Sequence, residues 1–237
     1  MILDAFKLNA FTIQITYPDA FELWDQAGSI ARQLTRIWPD LSLEEGLANE
    51  QILRSSSVAI TTGLRVSTIA LSDGKGFDQA TVDKAANTLA LWRAELSIEK
   101  FTRISCRAKY VKEFPTKKAA NAEVLSWNLC RWPVGKVFEQ PEDAEANGID
   151  LLFRLEDANS FTHVRVGAEE VKIELMPHPE FPDIEVHKQK SRVYVDVDRG
   201  LLGSVRGDDF RISEWLKGYH HVLRRDIDKL LPVEVRR

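Results

Sequence analysis

Between Phe11 and Tyr17 apolar and polar side chains alternate strictly, with Phe11, Ile13, Ile15 and Tyr17 on one face and Thr12, Gln14 and Thr16 on the other. A period of two is that of a half-buried antiparallel strand. After Pro18 the period lengthens. Phe21, Trp24, Ala27, Ile30, Leu34 and Ile37 recur at steps of three and four, which predicts an amphipathic helix with Asp19 as its N-cap and Trp38-Pro39 as its stop. A polar loop is expected to about Glu50, followed by a hairpin of Ile52 to Ile60 and Leu64 to Leu71 hinged at Thr61-Thr62-Gly63. The turn cluster Asp73-Gly74-Lys75-Gly76 leads into a second helix, marked by Phe77, Val82, Ala86, Leu89, Trp92 and Leu96.

The pattern then begins again. Phe101 to Phe114 alternates, with Ile104, Cys106, Ala108 and Tyr110 on one face, and a helix is expected over Thr116 to Leu129 before a second Trp-Pro pair, Trp132-Pro133. Glu139 to Gly148 is loop-like and acidic. Period two returns at Ile149 to Leu155, at Val164 and Val166, at Val171 to Leu175 and at Val193 to Val197, with a loop of Pro177, Pro179 and Pro182 before the last. A closing helix carries Ile212, Leu216, Tyr219, Leu223, Ile227 and Leu230 and ends at Pro232.

This order predicts an α+β fold in which antiparallel sheets pack against long amphipathic helices. The run β-α-β-β-α occurs twice, which points to a diverged duplication with its seam near Ile98 and halves at 1–98 and 99–237. A second parse takes residues 1–114 as one ferredoxin-like βαββαβ unit followed by another α+β domain.

Composition adds limits. With 237 residues, 44% hydrophobic and 29% charged, 12 Gly and 9 Pro, the chain can bury a real core and does not read as disordered or fibrous. A net charge of −4 gives no protein-wide positive field, so binding of a polyanion requires a local patch. Cys106 and Cys130 are too few for a disulfide framework or a four-thiolate zinc site. No basic segment leads into a long apolar run, which implies a cytoplasmic protein without a membrane span.

The local patch exists. Residues 100–118 hold Lys100, Arg103, Arg107, Lys109, Lys112, Lys117 and Lys118 against Glu113 alone, a net +6. Alternation puts Arg103, Ser105, Arg107 and Lys109 on one strand face, a row that can follow a phosphate backbone or be balanced by acids on neighbouring strands. Trp127, Arg131 and Trp132 follow, as stacking surface or as core. His220 and Arg224, and likewise His221 and Arg225, are four apart on the last helix; they form an anion or partner site, or a solvated or inter-helix face. Asp196 and Asp198 share a strand face and are weak candidates for holding a metal, with cross-strand ion pairing as the alternative. Asp150 with Glu170-Val171-Lys172 mimics the acid, acid-x-lysine set of metal-dependent nucleases, a spacing common by chance. Gly200, Gly203 and Gly207 are expected in a loop before the last helix, with Asp208 and Asp209 capping it. Phosphate-loop, dinucleotide, nucleophile-elbow and zinc-protease signatures are absent, so no cofactor and no catalytic residue is assigned.

The ending VYVDVDRGLLGSVRGDDFRISEWLKGYHHVLRRDIDKLLP, the opening KLNAFTIQITY with its helix and WPD, and the strand RISCRAKYV resemble a sporadically distributed, uncharacterised bacterial family of this length. That resemblance implies no activity. It implies an accessory gene, of the antiphage-defence or toxin-antitoxin kind. The sequence is therefore expected to specify a non-catalytic interaction protein whose protein partner is encoded nearby, with nucleic-acid binding through residues 100–118 and metal-dependent nuclease activity as alternatives.

Overall fold

The structure is a computed structural model that describes residues 2–72, 74, 76–129, 148–175 and 186–231. A short 3-10 turn, Ile2–Ala5, leads into β1 (Lys7–Thr16), α1 (Leu23–Ile37), β2 (Ser42–Gly46), β3 (Glu50–Arg54), β4 (Val58–Gly63), β5 (Val66–Ser72) and α2 (Gln79–Glu95). The chain continues through β6 (Lys100–Phe114), α3 (Lys117–Ser126), β7 (Ile149–Glu156), β8 (Ser160–Leu175), β9 (Val186–Arg206) and α4 (Ile212–Leu230). The fold is α+β: among the described residues nine strands join one antiparallel sheet in the order β2-β3-β4-β5-β1-β6-β9-β8-β7.

The strand order is a repeat written outward from the centre. From the antiparallel β1–β6 pair, the first half runs β1, β5, β4, β3 and the second β6, β9, β8, β7, with β2 as an extra edge strand in the first. In both halves the strand at the centre is followed by a helix, and the strand beside it, β5 or β9, by the long helix, α2 or α4. The seam near Ile98 lies between α2 and β6, yet the sheet crosses it without interruption. β6 thus follows a first half of order β-α-β-β-β-β-α and opens a second of order β-α-β-β-β-α, so four strands stand between the first two helices where the βαββαβ order has two.

One face of the sheet is covered. Phe11, Ile13 and Ile15 of β1 stand opposite Ala108, Cys106 and Ile104 of β6, and all six are buried beneath α2 and α4. Phe77 before α2 meets Tyr219 of α4 at 5.7 Å between ring centres. Buried aromatics with a polar end find partners, as they must away from water. Trp92 Nε1 donates to Thr62 Oγ1 at 2.9 Å, Trp38 Nε1 to Thr88 Oγ1 at 3.0 Å, and the Tyr17 hydroxyl to the Gly63 carbonyl at 2.6 Å.

Several expectations are corrected. The first helix begins at Leu23 after Glu22, without a side-chain cap, and the Asp19 carboxylate pairs with Arg65 instead of capping it. Its leading apolar residues, Phe21 and Trp24, are exposed and not core. The polar stretch before Glu50 contains β2, and Ile52 to Ile60 is two strands parted by a turn in which Ser55 Oγ accepts from the amides of Ser57 and Val58. Thr61, Thr62 and Gly63 lie inside β4 rather than at a hinge. In the second half Val164 to Leu175 is one continuous strand, and Gly200 and Gly203 are part of β9, not of a loop. Asp208 bonds Arg93, while α4 starts after Arg211 without a side-chain cap, so the expected acidic cap is absent. Cys130, Arg131, Trp132-Pro133, Glu139 to Asn147, the three prolines 177, 179 and 182, and Pro232 lie outside the described residues. No helix among the described residues is long and apolar enough to cross a membrane.

Ile13 sits fully buried in the central ladder with strands on both sides. Ile13→Ala is expected to cost about 2–5 kcal/mol. Because the sheet is continuous, urea denaturation should show one transition shifted to lower denaturant, not the loss of one half alone.

Candidate partner-binding site

The face of the sheet away from the helices carries the polar half of each strand pattern, and its two halves differ in chemistry. Around β1, β4 and β5 it presents small uncharged side chains: Thr12, Gln14, Thr16, Ala59, Thr61, Thr68 and Ala70. Around β6, β8 and β9 it is a lattice of ion pairs. Cross-strand register brings Arg107 opposite Asp198 and Lys109 opposite Asp196, while Asp196 in turn opposes Arg165 and Asp198 opposes His163.

Each cation of the basic strand that points this way is engaged. Arg107 chelates Asp196, with Nε 2.9 Å from Oδ1 and Nη2 2.5 Å from Oδ2, and this pairing raises the guanidinium pKa further. Lys109 Nζ donates to Glu169 at 2.9 Å, and Arg192 Nε to the same carboxylate at 2.6 Å. Arg103 lies 3.6 Å from Asp198. Arg165 binds Asp150, which also accepts from the Tyr194 hydroxyl at 2.9 Å. Asp196 and Asp198 thus share a face, as the sequence predicts, but each answers a cation, and no group of three metal-ligating side chains occurs among the described residues. Asp198 is the imperfect member. Burial pushes its carboxyl pKa up, and its Oδ1 is buried without a hydrogen-bond partner.

Beneath the lattice, aromatic rings lie across glycines. The Tyr194 ring covers Gly167, where an added Cβ would stand 2.7 Å from the hydroxyl, and the Phe161 ring covers Gly200. A glycine inside a strand marks such close approach. Lys109 and Arg103 then cap the rings, at 4.7 Å from the Tyr194 centre and 4.6 Å from that of Phe161.

The remaining candidates separate. Lys112 is in register with Val193 on the helix side and donates to Glu123 of α3 at 2.9 Å, while Lys117 and Lys118 lie in the first turn of α3. The +6 segment is therefore divided between two faces and a helix. Asp150 pairs with Gly167 on the lattice face, whereas Glu170 and Lys172 alternate to the other, so the nuclease set does not assemble. His220 and Arg224 share a cavity of about 450 Å³ with Asp4, Phe6, Phe77 and Tyr110. There His220 stacks on Phe77 at 4.3 Å, Arg224 holds Asp4, and burial together with Arg224 lowers the imidazole pKa. Burial pushes the Tyr110 pKa up to about 12. His221 points to solvent and Arg225 turns to Asp226. Trp127 is core, packed on Phe6.

What the sequence pattern misses is an apolar surface at the other end of the sheet. β2 is an edge strand whose five residues are all exposed. Beside it Phe21 (54% exposed) and Trp24 (61%) touch at 5.2 Å between ring centres, Trp24 Nε1 donates to the Ala48 carbonyl at 2.6 Å, and Leu43 and Leu47 are exposed along β2 and its turn. Large apolar side chains gathered next to a strand edge that is unpaired among the described residues make a candidate interaction surface. No protein-family model matches the chain, and no curated protein matches its sequence.

Two predictions test the lattice. Burial works against the charge of Glu169, but the hydrogen bonds from Lys109 and Arg192 outweigh it and hold its pKa below the ordinary 4.5. A depressed carboxylate contributes stability above its unfolded pKa and loses it as pH falls through the folded value. Glu169→Gln should therefore lower the melting temperature at pH 7, and the gap to the wild type should close below pH 4.5; a gap independent of pH contradicts the assignment. Separately, a Cβ at Gly200 would stand 2.5 Å from both the Ile104 carbonyl oxygen and the Phe161 ring. Gly200→Ala should destabilise by about 1–3 kcal/mol in chemical denaturation.

Proposed function

We propose that this chain is a non-catalytic interaction protein that binds a protein partner along the β2 edge, in an accessory system of the kind its resemblance implies. The observation that carries this reading is the exposed Phe21–Trp24 pair beside the edge of β2, which is unpaired among the described residues. A partner strand laid along Ser42–Gly46 gains backbone hydrogen bonds, and its neighbouring apolar side chains gain Trp24, Phe21 and Leu47. Trp is among the residue types that dominate binding energy at such centres. Nucleic-acid binding through Arg103, Arg107 and Lys109 has less support, because each of these cations already faces a carboxylate.

The test is co-expression of the full chain with the products of the adjacent genes, followed by affinity measurement on any complex formed. Trp24→Ser should weaken that complex by about thirtyfold or more, the loss of a hot-spot side chain, while the double variant Arg107→Ala, Lys109→Ala leaves it within about threefold of the wild type. A complex indifferent to Trp24 and lost with the two cations contradicts the proposal, as does the absence of any complex.

A further inference from the structure

The internal repeat shows what one groove is built to receive. In the first half, α1 lies along the flank of α2 and buries Leu23, Ile30 and Leu34. Polar bonds fix it there: Gln33 Nε2 donates to Glu95 of α2 at 2.9 Å, and Gln51 Nε2 of β3 to the Ala27 carbonyl at 3.1 Å. The helix layer over the first half is therefore two helices wide.

In the second half, α4 takes the place of α2, but the counterpart of α1 is elsewhere. α3 has 10 residues where α1 has 15. It packs on β8 and β9, its Glu123 bonds Lys112 of β6, and Trp127 just beyond it rests on Phe6. The flank of α4 over Leu155, Val164 and Val197 carries no helix among the described residues. A groove of about 560 Å³ runs there instead, floored by Val164 and Val197 and walled by Leu155 of β7 and by Leu223, Ile227 and Leu230 of α4. Leu155 stands at its lip, 65% exposed. The rim is basic. Arg199, Arg225 and Lys229 surround it against Asp226 alone, and Asp226 is already held by Arg225 and Lys229, which keep its carboxyl far below the usual carboxylate range. Arg199 has no ion pair among the described residues.

We propose that this groove seats an amphipathic helix of a partner protein, one with an apolar stripe at i, i+3 or i+4, and i+7 and with acidic residues flanking it. The groove lies along α4 as α1 lies along α2, and the net positive rim selects acidic flanks. This site is separate from the β2 edge, on the opposite side of the sheet's centre, and either can exist without the other.

The test uses the full chain and two labelled synthetic 15-residue helices with the same leucine stripe, one flanked by glutamates and one by lysines. Fluorescence anisotropy at low salt should show saturable binding of the glutamate helix, at least tenfold tighter than the lysine helix. Leu155→Glu should weaken it at least tenfold, and because Leu155 is largely exposed the melting temperature should stay unchanged. Arg199→Glu should narrow the difference between the two helices. Val222→Glu, half-buried on the same wall, serves as a second check. Equal binding of both helices, binding that survives Leu155→Glu, or no binding overturns the proposal. So does sedimentation showing that the chain forms a dimer which Leu155→Glu dissociates.

Discussion

In the ladder between β1 and β6, Phe11, Ile13 and Ile15 meet Ala108, Cys106 and Ile104, and this pairing joins the two halves. Its register decides which way every side chain of β6 points. A slip of one residue would turn Arg107 and Lys109 toward the helices and bring Cys106 and Ala108 out, since side chains alternate with a period of two. As it stands, small residues at the centre of β6 lie under α2 and α4, while the cations stand where β8 and β9 bring acids. The apolar core, the ion-pair lattice and the contact between the two long helices all follow from one strand pairing.

The proposed partner surfaces lie where the repeat is broken, not where it is kept. The first half has an extra strand, β2, which ends the sheet as an uncovered edge beside Phe21 and Trp24. The second half lacks a helix along α4 among the described residues and leaves a groove with a basic rim. An antiparallel sheet can leave a polar face to water at little cost, and the lattice face does so with its charges paired. Exposed tryptophan and an apolar groove that is open among the described residues leave apolar area facing water.

Much of the fold was legible because periodicity is local. β1, α2, β6 and α4 are marked by alternation or by steps of three and four that the structure keeps. The rest depends on contacts far apart in the chain. Arg107 and Asp196 are 89 residues apart, and only the β6–β9 register brings them together, so the sequence alone leaves open whether the strand-face cations of the +6 segment follow a phosphate backbone or are balanced by acids. Phe21 and Trp24 continued the helical period of α1, but the helix starts at Leu23 and its first turn extends past the core. Gly200 and Gly203 carried a turn signal, yet Gly200 is a strand residue made necessary by the Phe161 ring above it. Arg225 with His221 reads as an anion or partner site or as a solvated or inter-helix face; that Arg225 rims a groove depends on where α3 goes.

Amide hydrogen exchange of the free chain, and of any complex it forms with the product of an adjacent gene, tests the proposal that partners bind where the repeat is broken. Slow exchange is predicted at the centre of β1 and β6 in both states, with new protection on binding confined to Ser42–Gly46 or to the 219–230 flank of α4. New protection at Arg103 to Lys109 and Arg192 to Asp198, with β2 and α4 unchanged, would contradict it.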